Sequence, residues 1–200
     1  KTMATKVLPF VKTSKPSFKF PKNGTPEEVD WLGAKKQIDV AKTAGVKQFV
    51  FVSSMGGTNP DNFLNSIGRR KDGSGGDILL WKRKAERYLV ASGVPYTIIH
   101  PGGLVDEDGS KRELVVGVND EIMKDPAFAS GGTRSVARAD VARVCKAALG
   151  SASATGVALD LVSKKAGDGT PTKDASTVFA SSPGKYTYET AATDPPSIFS

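Results

Sequence analysis

Hydrophobic positions along the chain follow two patterns that alternate. In three segments they recur every three to four residues, the spacing of a helix with one buried face. In three others they run almost without interruption, which is typical of strands covered on both faces in a parallel sheet. The predicted helices cover residues 26–44 and 77–92 and start again near Arg138, and the predicted strands cover 47–54, 95–100 and 156–163. This alternation predicts an α/β fold, a parallel sheet with flanking helices and right-handed crossovers.

The first predicted helix carries signals at both ends. Thr25 is a good N-cap, Pro26 fits the first turn, and Glu28, three residues after Thr25, completes a capping box. Gly45 follows the last helical residue, where the backbone commonly turns left-handed. The loop at 55–76 is rich in Gly, Asn and Asp, and loops of this length are usually functional or mobile.

The pattern divides the chain into three regions. Residues 1–24 form a basic N-terminal arm, because lysines recur there and no acidic residue precedes Glu27. Residues 25–163 form the α/β domain, which has few strands and is therefore predicted to be only the C-terminal part of a larger domain. Residues 164–200 form a mostly irregular tail that is low in apolar residues, with one short helix predicted in "ASTVFA".

Composition narrows the classes of partner and cofactor. The net charge is +7 over 200 residues, and a basic arm can contact nucleic acid, anionic lipid or an acidic protein. Basic and aromatic residues do not interleave in an RNA-binding pattern, so nucleic acid is not favoured. The single cysteine, Cys145, and the single histidine, His100, exclude a disulfide framework and a Cys/His metal site. No apolar run reaches the ~20 residues that a membrane-spanning helix needs.

Four segments, taken in order, carry a resemblance to a known family. They read "AGVKQFVFVSSMGG", "WKRKAERYLVASGVPYTII", "HPGGLVDE" and "SVARADVARVCKAAL". Together they resemble the atypical short-chain dehydrogenase/reductases of the NmrA-like branch, and in particular small NAD(P)-binding proteins of plant and algal chloroplasts. The resemblance covers roughly residues 25–180. It implies a Rossmann-like fold, a chloroplast location and NADP or NAD as cofactor.

The glycine-rich turn of that family has no counterpart in this chain. In a Rossmann fold the turn places the cofactor pyrophosphate at a helix N-terminus, where free N–H groups favour anions. The chain contains no G-x-G-x-x-G, and "GSGG" at 73–76 follows no strand and is better interpreted as a flexible linker. Because the chain also lacks an initial Met, we expect the missing half, and with it cofactor binding, in a longer protein. The alternative is a half-domain that persists only against a partner.

The resemblance assigns cofactor-binding roles to three groups of residues. Serines at the end of the strand that precedes the long loop would lie beside the nicotinamide or a substrate carbonyl, and they are the candidates for catalysis, although they could equally satisfy backbone groups. Lys84 would bind the ribose hydroxyls, or be one more surface lysine. The turn after the second strand would contact the carboxamide, since glycines allow close backbone approach. The cofactor-binding candidates are therefore Ser53, Ser54, Lys84, Pro101, Gly102, Gly103 and Leu104.

The expected proton donor of the family is absent. Active members carry a tyrosine four residues before the lysine, and here that position is Leu80, which cannot protonate a developing alkoxide. Tyr88 follows Lys84 and is predicted to pack. Asp77 and Glu86 are interpreted as solvated charges.

Two further polar residues receive structural predictions. His100 stands where the family often has a basic residue and is interpreted as a satisfied or exposed imidazole. Asp140 is predicted to cap the third helix.

Two hypotheses on function remain open. The first is an NAD(P)-binding, reductase-like protein that lacks the usual tyrosine acid and either reduces a small carbonyl or senses the cofactor. The second is a non-catalytic accessory subunit with protein partners in a larger assembly, such as a chloroplast membrane complex. The family motifs support the first hypothesis. Leu80, the basic arm and the long tail with several prolines support the second.

Overall fold

A four-stranded sheet organises the part of the chain that the computed structural model describes, residues 20–128, 134–181 and 184–188. Its strand order is β1-β2-β6-β4, and a separate pair is formed by β3 and β5. The strands are β1 (Phe49–Val52), β2 (Tyr96–Pro101), β3 (Gly103–Val105), β4 (Leu114–Gly117), β5 (Ser135–Ala137) and β6 (Val157–Ser163). The helices are α1 (Ala34–Thr43), α2 (Ile78–Ser92), α3 (Glu121–Lys124), α4 (Arg138–Ala148) and α5 (Thr177–Ala180). Residues 1–19 of the predicted basic arm lie outside the described residues. The same holds for residues 182–183 and 189–200 of the predicted tail.

The three strands predicted from continuous apolar runs are neighbours and run parallel. β1 pairs with β2, and β2 pairs with β6, both in parallel register. β4 is antiparallel to β6 and completes one edge, while β1 lies at the other. The predicted Rossmann-like α/β class, with a parallel sheet and flanking helices, is confirmed. The pair of β3 and β5 was missed because three-residue strands carry too little pattern to detect.

Helices cover both faces of the sheet, because successive strand residues point to opposite sides. Ile98 packs with Ile38 of α1 and Leu89 of α2. Ile99 packs on the opposite face with Val144 of α4 and Phe179 of α5. The sheet is therefore the middle of three layers, which explains why its strands read as continuous apolar runs.

The first helix begins with the predicted capping box. The Glu28 backbone N–H donates to Thr25 Oγ1 at 3.2 Å, and the Thr25 backbone N–H donates to Glu28 Oε2 at 3.0 Å. A π-helical segment, Glu27–Gly33, precedes α1. At the other end Gly45 has a φ of 62°, and Val46 N–H donates to the Ala41 carbonyl at 3.2 Å. This is the glycine-terminated helix end that the sequence predicted.

Part of the region predicted as an irregular tail packs against the domain. Val178 and Phe179 of α5, together with Ala175, are buried in the core beside β2 and β6. Residues 184–188 lie on the opposite face, where Tyr186 and Tyr188 pack near Ile98. Within the described residues, no helix combines the length and apolar character needed to cross a membrane.

Gly102 connects β2 to β3 at a point where a side chain does not fit. A Cβ at Gly102 would lie 2.2 Å from the Arg134 carbonyl oxygen and 2.9 Å from Val162 Cγ1, whereas a Cβ at Gly103 would lie 3.6 Å from the same oxygen. We therefore expect Gly102→Ala to lower the free energy of unfolding by about 1–3 kcal/mol, as overpacking does. Gly103→Ala is the matched control and should change it less. Urea unfolding of both variants measures this, and equal stability would contradict the packing described.

Candidate functional site

A cavity of about 190 Å³ opens at the carboxyl ends of β1 and β2. Its position follows from the fold, because parallel strands bring their carboxyl ends to the same edge of the sheet. Its wall combines residues at or just after the ends of β1 and β2, part of the long loop around the helical turn Phe63–Ser66, one residue of α3 and the residue before β5. The lining residues are Ser54, Met55, Asn62, Phe63, Leu64, Pro101, Gly102, Gly103, Met123 and Arg134.

The loop that follows β1 is held in place by one carboxylate. Asp120 accepts hydrogen bonds from the Gly56 backbone N–H at 2.6 Å and from Thr58, through its backbone N–H at 2.9 Å and its hydroxyl at 2.6 Å. The Asp120 backbone N–H donates in turn to Asp160 Oδ2 at 2.8 Å. The cavity wall at Met55 is therefore fixed by residues more than sixty positions later in the chain.

A buried group of charged side chains lies directly behind this loop, on the sheet face covered by α2. Ser53 Oγ donates to Glu86 Oε1. Glu86 Oε2 lies 3.1 Å from His100 Nε2, while His100 Nδ1 lies 3.2 Å from the Leu159 carbonyl oxygen and 3.6 Å from Asp160 Oδ1. Glu86 is only 2% exposed, so the prediction of a solvated charge is wrong. One neighbour, Arg83 Nη1 at 3.9 Å from Oε2, lies on the same helix. The two hydrogen-bond partners, Ser53 after β1 and His100 of β2, come from other elements and cannot be found from the spacing of residues along the helix.

The surroundings of His100 favour its charged form. Burial alone would lower the pKa of His100, but the Glu86 carboxylate outweighs this through its charge and hydrogen bond, and Asp160 and Asp120 add to the rise. Both ring nitrogens face oxygen atoms, which suits an imidazolium that donates twice. Burial raises the pKa of Asp160 to about 7, opposed by the His100 charge and increased by the Asp120 charge. The group therefore holds protons at a pH where isolated carboxylates are ionised.

Residues from near the end of the chain cover this group. The Tyr186 ring stacks on His100 with centroids 4.4 Å apart. Arg83 of α2 lies over the rings of Tyr186 and Tyr188, at 5.1 and 4.7 Å, and donates to the Thr187 carbonyl at 2.6 Å. Burial is the main cause that raises the pKa of the Tyr186 phenol, and the nearby carboxylates add to the rise. The pKa of the Tyr188 phenol is raised in the same way. The two phenols are therefore poor acids.

The structure brings four of the seven predicted site residues into one wall. Ser54, Pro101, Gly102 and Gly103 all line the cavity, and Ser54 Oγ donates to the Met55 carbonyl at 3.0 Å.

The other three predicted site residues lie elsewhere. Ser53 faces the buried group through Glu86, and Leu104 is 44% exposed on β3. Lys84 Nζ lies over the ring of Trp31 at 4.9 Å and over that of Trp81 at 5.4 Å.

Two other polar predictions need correction. Asp77 is buried and paired with Arg69 of the preceding loop rather than solvated. Asp140 does not cap α4, which has no side-chain cap. Its carboxylate instead accepts from the Ser110 backbone N–H at 2.9 Å and from Arg143 Nη1 at 2.6 Å.

Sequence reasoning missed three residues at the site, Asp120, Asp160 and Arg134. A signal existed for Asp160, because it is a carboxylate in the middle of the apolar run "VALDLVS", and a charge in a buried strand needs partners. For Asp120 and Arg134 the sequence offers no comparable signal, since both lie in turns whose place in the fold depends on tertiary structure.

A three-layer α/β structure with a cavity at the carboxyl ends of its parallel strands is the arrangement of nucleotide-binding proteins. Residues 13–152 match the family described as NAD(P)H-binding. The chain belongs to this NAD(P)H-binding family, and a nicotinamide dinucleotide is its cofactor class.

Individual relatives agree with this assignment. The chain is 54% identical over 168 residues to the chloroplastic protein At2g37660 of Arabidopsis thaliana, covering 84% of this chain and 48% of the relative. It is 47% identical over 165 residues to sanguinarine reductase of Eschscholzia californica, covering 82% of this chain and 56% of the relative. The chain thus spans about half the length of these curated relatives. The name of the first supports the chloroplast location that the resemblance implied.

A solved structure agrees on the fold. A Bacillus halodurans protein assigned as an NAD-dependent epimerase/dehydratase superimposes with a TM-score of 0.55 at 27% identity, covering 76% of this chain and 60% of that one.

The buried group predicts a stability that falls as pH rises. The raised pKa values of Asp160 and His100 mean that folding favours their protonated forms, so this stabilisation is complete at low pH. The stabilisation from Asp160 is lost as the pH rises from the ordinary pKa of 3.8 to the raised pKa of about 7. The stabilisation from His100 is lost as the pH rises above the ordinary pKa of 6.5. We expect the free energy of unfolding to fall by about 2–3 kcal/mol between roughly pH 5 and 8.

Asp160→Asn should flatten this dependence, and Asp168→Asn, at an exposed position, should leave it unchanged. Denaturant unfolding at several pH values measures all three proteins. A stability that rises over the same range, equally in the wild type and Asp160→Asn, would contradict the assignment.

Proposed function

We propose that the protein is a reductase-like enzyme that binds the nicotinamide end of NAD(P)H at the carboxyl-end cavity. The observation that carries the proposal is the common position of Ser54, Pro101, Gly102 and Gly103 in one cavity wall. Nicotinamide supplies a hydride, and the corresponding reaction class is reduction of a small carbonyl compound.

The cavity wall fits a planar amide ring. The space beside Gly102 is filled by the Arg134 carbonyl and Val162, whereas the space beside Gly103 is more open. The backbone at Gly103 therefore allows close approach. Ser54 offers a hydroxyl that accepts as well as donates, and Met55 supplies an adaptable apolar contact. A wall of this kind orients a ring through a few polar groups and excludes water around it.

The reductase proposed here works without the usual tyrosine acid. Leu80 occupies the position expected for it, and the buried phenols of Tyr186 and Tyr188 are poor acids because their pKa is raised. Ser53 is hydrogen-bonded to Glu86, so its hydroxyl proton is directed toward the buried group. Turnover is therefore expected to depend on a proton from water.

Lys84 is proposed to bind the ribose hydroxyls of the cofactor, as the family resemblance implies. Its contacts with Trp31 and Trp81 support a second role in packing, since a lysine over aromatic rings is attracted to their faces. The two roles differ in what Lys84→Ala changes. A packing role lowers stability, and a cofactor role weakens binding.

We expect Lys84→Ala to weaken NADPH binding about tenfold, the factor that one charge-assisted hydrogen bond supplies. Calorimetry on the intact protein that contains this chain measures the affinity, and thermal unfolding of the same samples measures stability. Lys124→Ala is the control, because Lys124 is exposed and pairs with Glu121 on α3. If the variant is less stable but binds NADPH normally, Lys84 is a packing residue. If the wild type shows no NADPH binding at high micromolar concentration, the proposed function is lost.

An accessory-subunit role is the second candidate, and one surface favours it. At the edge strand β1, Val52 is 44% exposed, and Val40 of the neighbouring α1 is 67% exposed. An apolar groove of about 460 Å³ runs beside them, lined partly by Val46 and Phe49. An open edge with apolar neighbours is a surface that proteins usually cover, either with a partner or with further strands of the same protein.

For this role we expect the native protein to migrate in a large assembly. Gel filtration of a chloroplast extract tests it, with the purified protein as the size standard. Elution of the native protein at the same volume as the purified one would count against the accessory role and leave the reductase proposal standing.

A further inference from the structure

The turn between β4 and α3 fixes two neighbouring side chains that bind different parts of the protein. Asn119 and Asp120 have φ values of 57° and 59°, and the Glu121 N–H donates to the Val118 carbonyl at 3.1 Å. Positive φ at both central residues is typical of a type I′ turn, which Asn and Asp tolerate. The backbone N–H of Asp120 is held in addition by Asp160. The turn is therefore a firm support for both side chains.

One of these side chains binds the covering segment, which we define as residues 184–188. Asn119 Oδ1 accepts from the Thr187 backbone N–H at 2.8 Å and from the Thr187 hydroxyl at 3.2 Å. The neighbouring side chain, Asp120, accepts three hydrogen bonds from the loop that follows β1. Two adjacent residues of one turn thus connect a segment from near the end of the chain to the loop beside the carboxyl-end cavity.

A second route joins the covering segment to the same cavity wall. The Tyr186 ring stacks on His100, and both His100 and Ser53 contact Glu86. Ser53 immediately precedes Ser54, which lines the cavity. The covering segment is therefore connected to both the loop and the strand end that form this wall.

The covering segment is easier to release than the core. Within the described residues it belongs to no helix or strand, and side chains hold the backbone of Thr187, Asn119 at its N–H and Arg83 at its carbonyl. Lys185 and Thr187 are exposed. Segments of this kind open at a lower free energy than core strands and helices. We therefore expect the segment to leave the surface while the sheet stays folded.

We infer that docking of the covering segment orders the wall of the carboxyl-end cavity, and that Asn119 and Asp120 are the positioning residues that connect the two. With Thr187 bound, the turn is held on both sides, and Asp120 keeps the loop at Gly56 and Thr58 in place. Because coupling between two sites is reciprocal, an ordered wall also favours the docked segment. The effect on nicotinamide binding rests on the proposed function, whereas the effect on the loop does not.

Asn119→Gly tests the connection without straining the turn. Glycine adopts a positive φ readily, so the turn is retained while the acceptor for Thr187 is removed. Asn23→Gly is the matched control, because Asn23 is exposed and also has a positive φ, of 62°. In hydrogen exchange without cofactor, we expect the amides of Gly56 and Thr58 to exchange at least about threefold faster in Asn119→Gly than in the wild type or the control. Amides in β2 should exchange at the wild-type rate.

Three results of this experiment would overturn the inference. Faster exchange at Thr187 alone would show that the segment opens without affecting the loop. Unchanged exchange at Thr187, Gly56 and Thr58 would show that the Asn119 contact holds nothing in place. An equal acceleration in β2 would show a general loss of stability instead of a local connection.

Asp120→Asn tests the connection in the reverse direction. The substitution replaces one accepting oxygen by an amide nitrogen that donates, so the bonds from Gly56 and Thr58 are weakened. Reciprocity requires the Thr187 amide to exchange faster as well, by at least about twofold. If Asp120→Asn does not fold, Thr58→Val, which removes one donor to Asp120, takes its place. An unchanged rate at Thr187 would contradict the connection.

Cofactor binding provides a readout of the site itself. In the intact protein that contains this chain, we expect Asn119→Gly to weaken NADPH binding about threefold to tenfold. The affinity for 2′,5′-ADP, which lacks the nicotinamide ring, should change less than about twofold. NADPH should in turn slow exchange at the Thr187 amide of the wild type. Calorimetry and hydrogen exchange measure these effects.

The outcomes separate the inference from the proposed function. Equal weakening of NADPH and 2′,5′-ADP would overturn the inference, and so would NADPH binding that leaves exchange at Thr187 unchanged. Absence of NADPH binding in the wild type would overturn the proposed function. In that case, the exchange rates without cofactor would still decide whether the covering segment orders the loop.

Discussion

The hydrogen-bonded pair of Glu86 and His100 is the interaction on which the other parts of this structure depend. It joins the middle of α2 to the carboxyl end of β2 in the interior of the domain. Through Ser53 the same carboxylate reaches the end of β1, and through Asp160 the imidazole reaches β6. A buried charge without its partner is strongly destabilising, often by about 3–5 kcal/mol. The positions of three strands and one helix are therefore coupled through a few polar atoms.

The buried group fixes the shape of the cavity, although only the cavity wall in front of the group is accessible. Asp160 holds the backbone of Asp120, and the carboxylate of Asp120 holds the loop at Gly56 and Thr58. The rigid strands and the loop that carries Ser54 thus belong to one hydrogen-bonded unit. Sites supported in this way keep their geometry because the supporting side chains are themselves fixed. Ser53 faces the buried group and Ser54 faces the cavity, because successive side chains along a strand point to opposite sides.

The regular elements could be predicted from the sequence, and the polar contacts could not. The capping box at Thr25, the start of α4 at Arg138 and the parallel strands follow from local patterns, which depend on residues a few positions apart. The family resemblance assigned a cofactor-binding role to Pro101, Gly102 and Gly103, and the structure places these residues in the cavity wall. Glu86 was misjudged because the partners that remove it from water, Ser53 and His100, lie on other elements. Arg134 carries no local pattern, and only the folded chain brings it to the cavity.

The cover over His100 has a consequence for the order of folding. Glu86 and His100 are 14 residues apart, Ser53 and Glu86 are 33 apart, and Arg83 and Thr187 are 104 apart. Closing a longer loop costs more chain entropy, and contacts close in sequence form sooner. The charged side chains can therefore meet while water still reaches them, and Tyr186 can seal them only after synthesis has passed residue 188. During translation the most buried charges of the finished protein stay hydrated until nearly the whole described chain has left the ribosome.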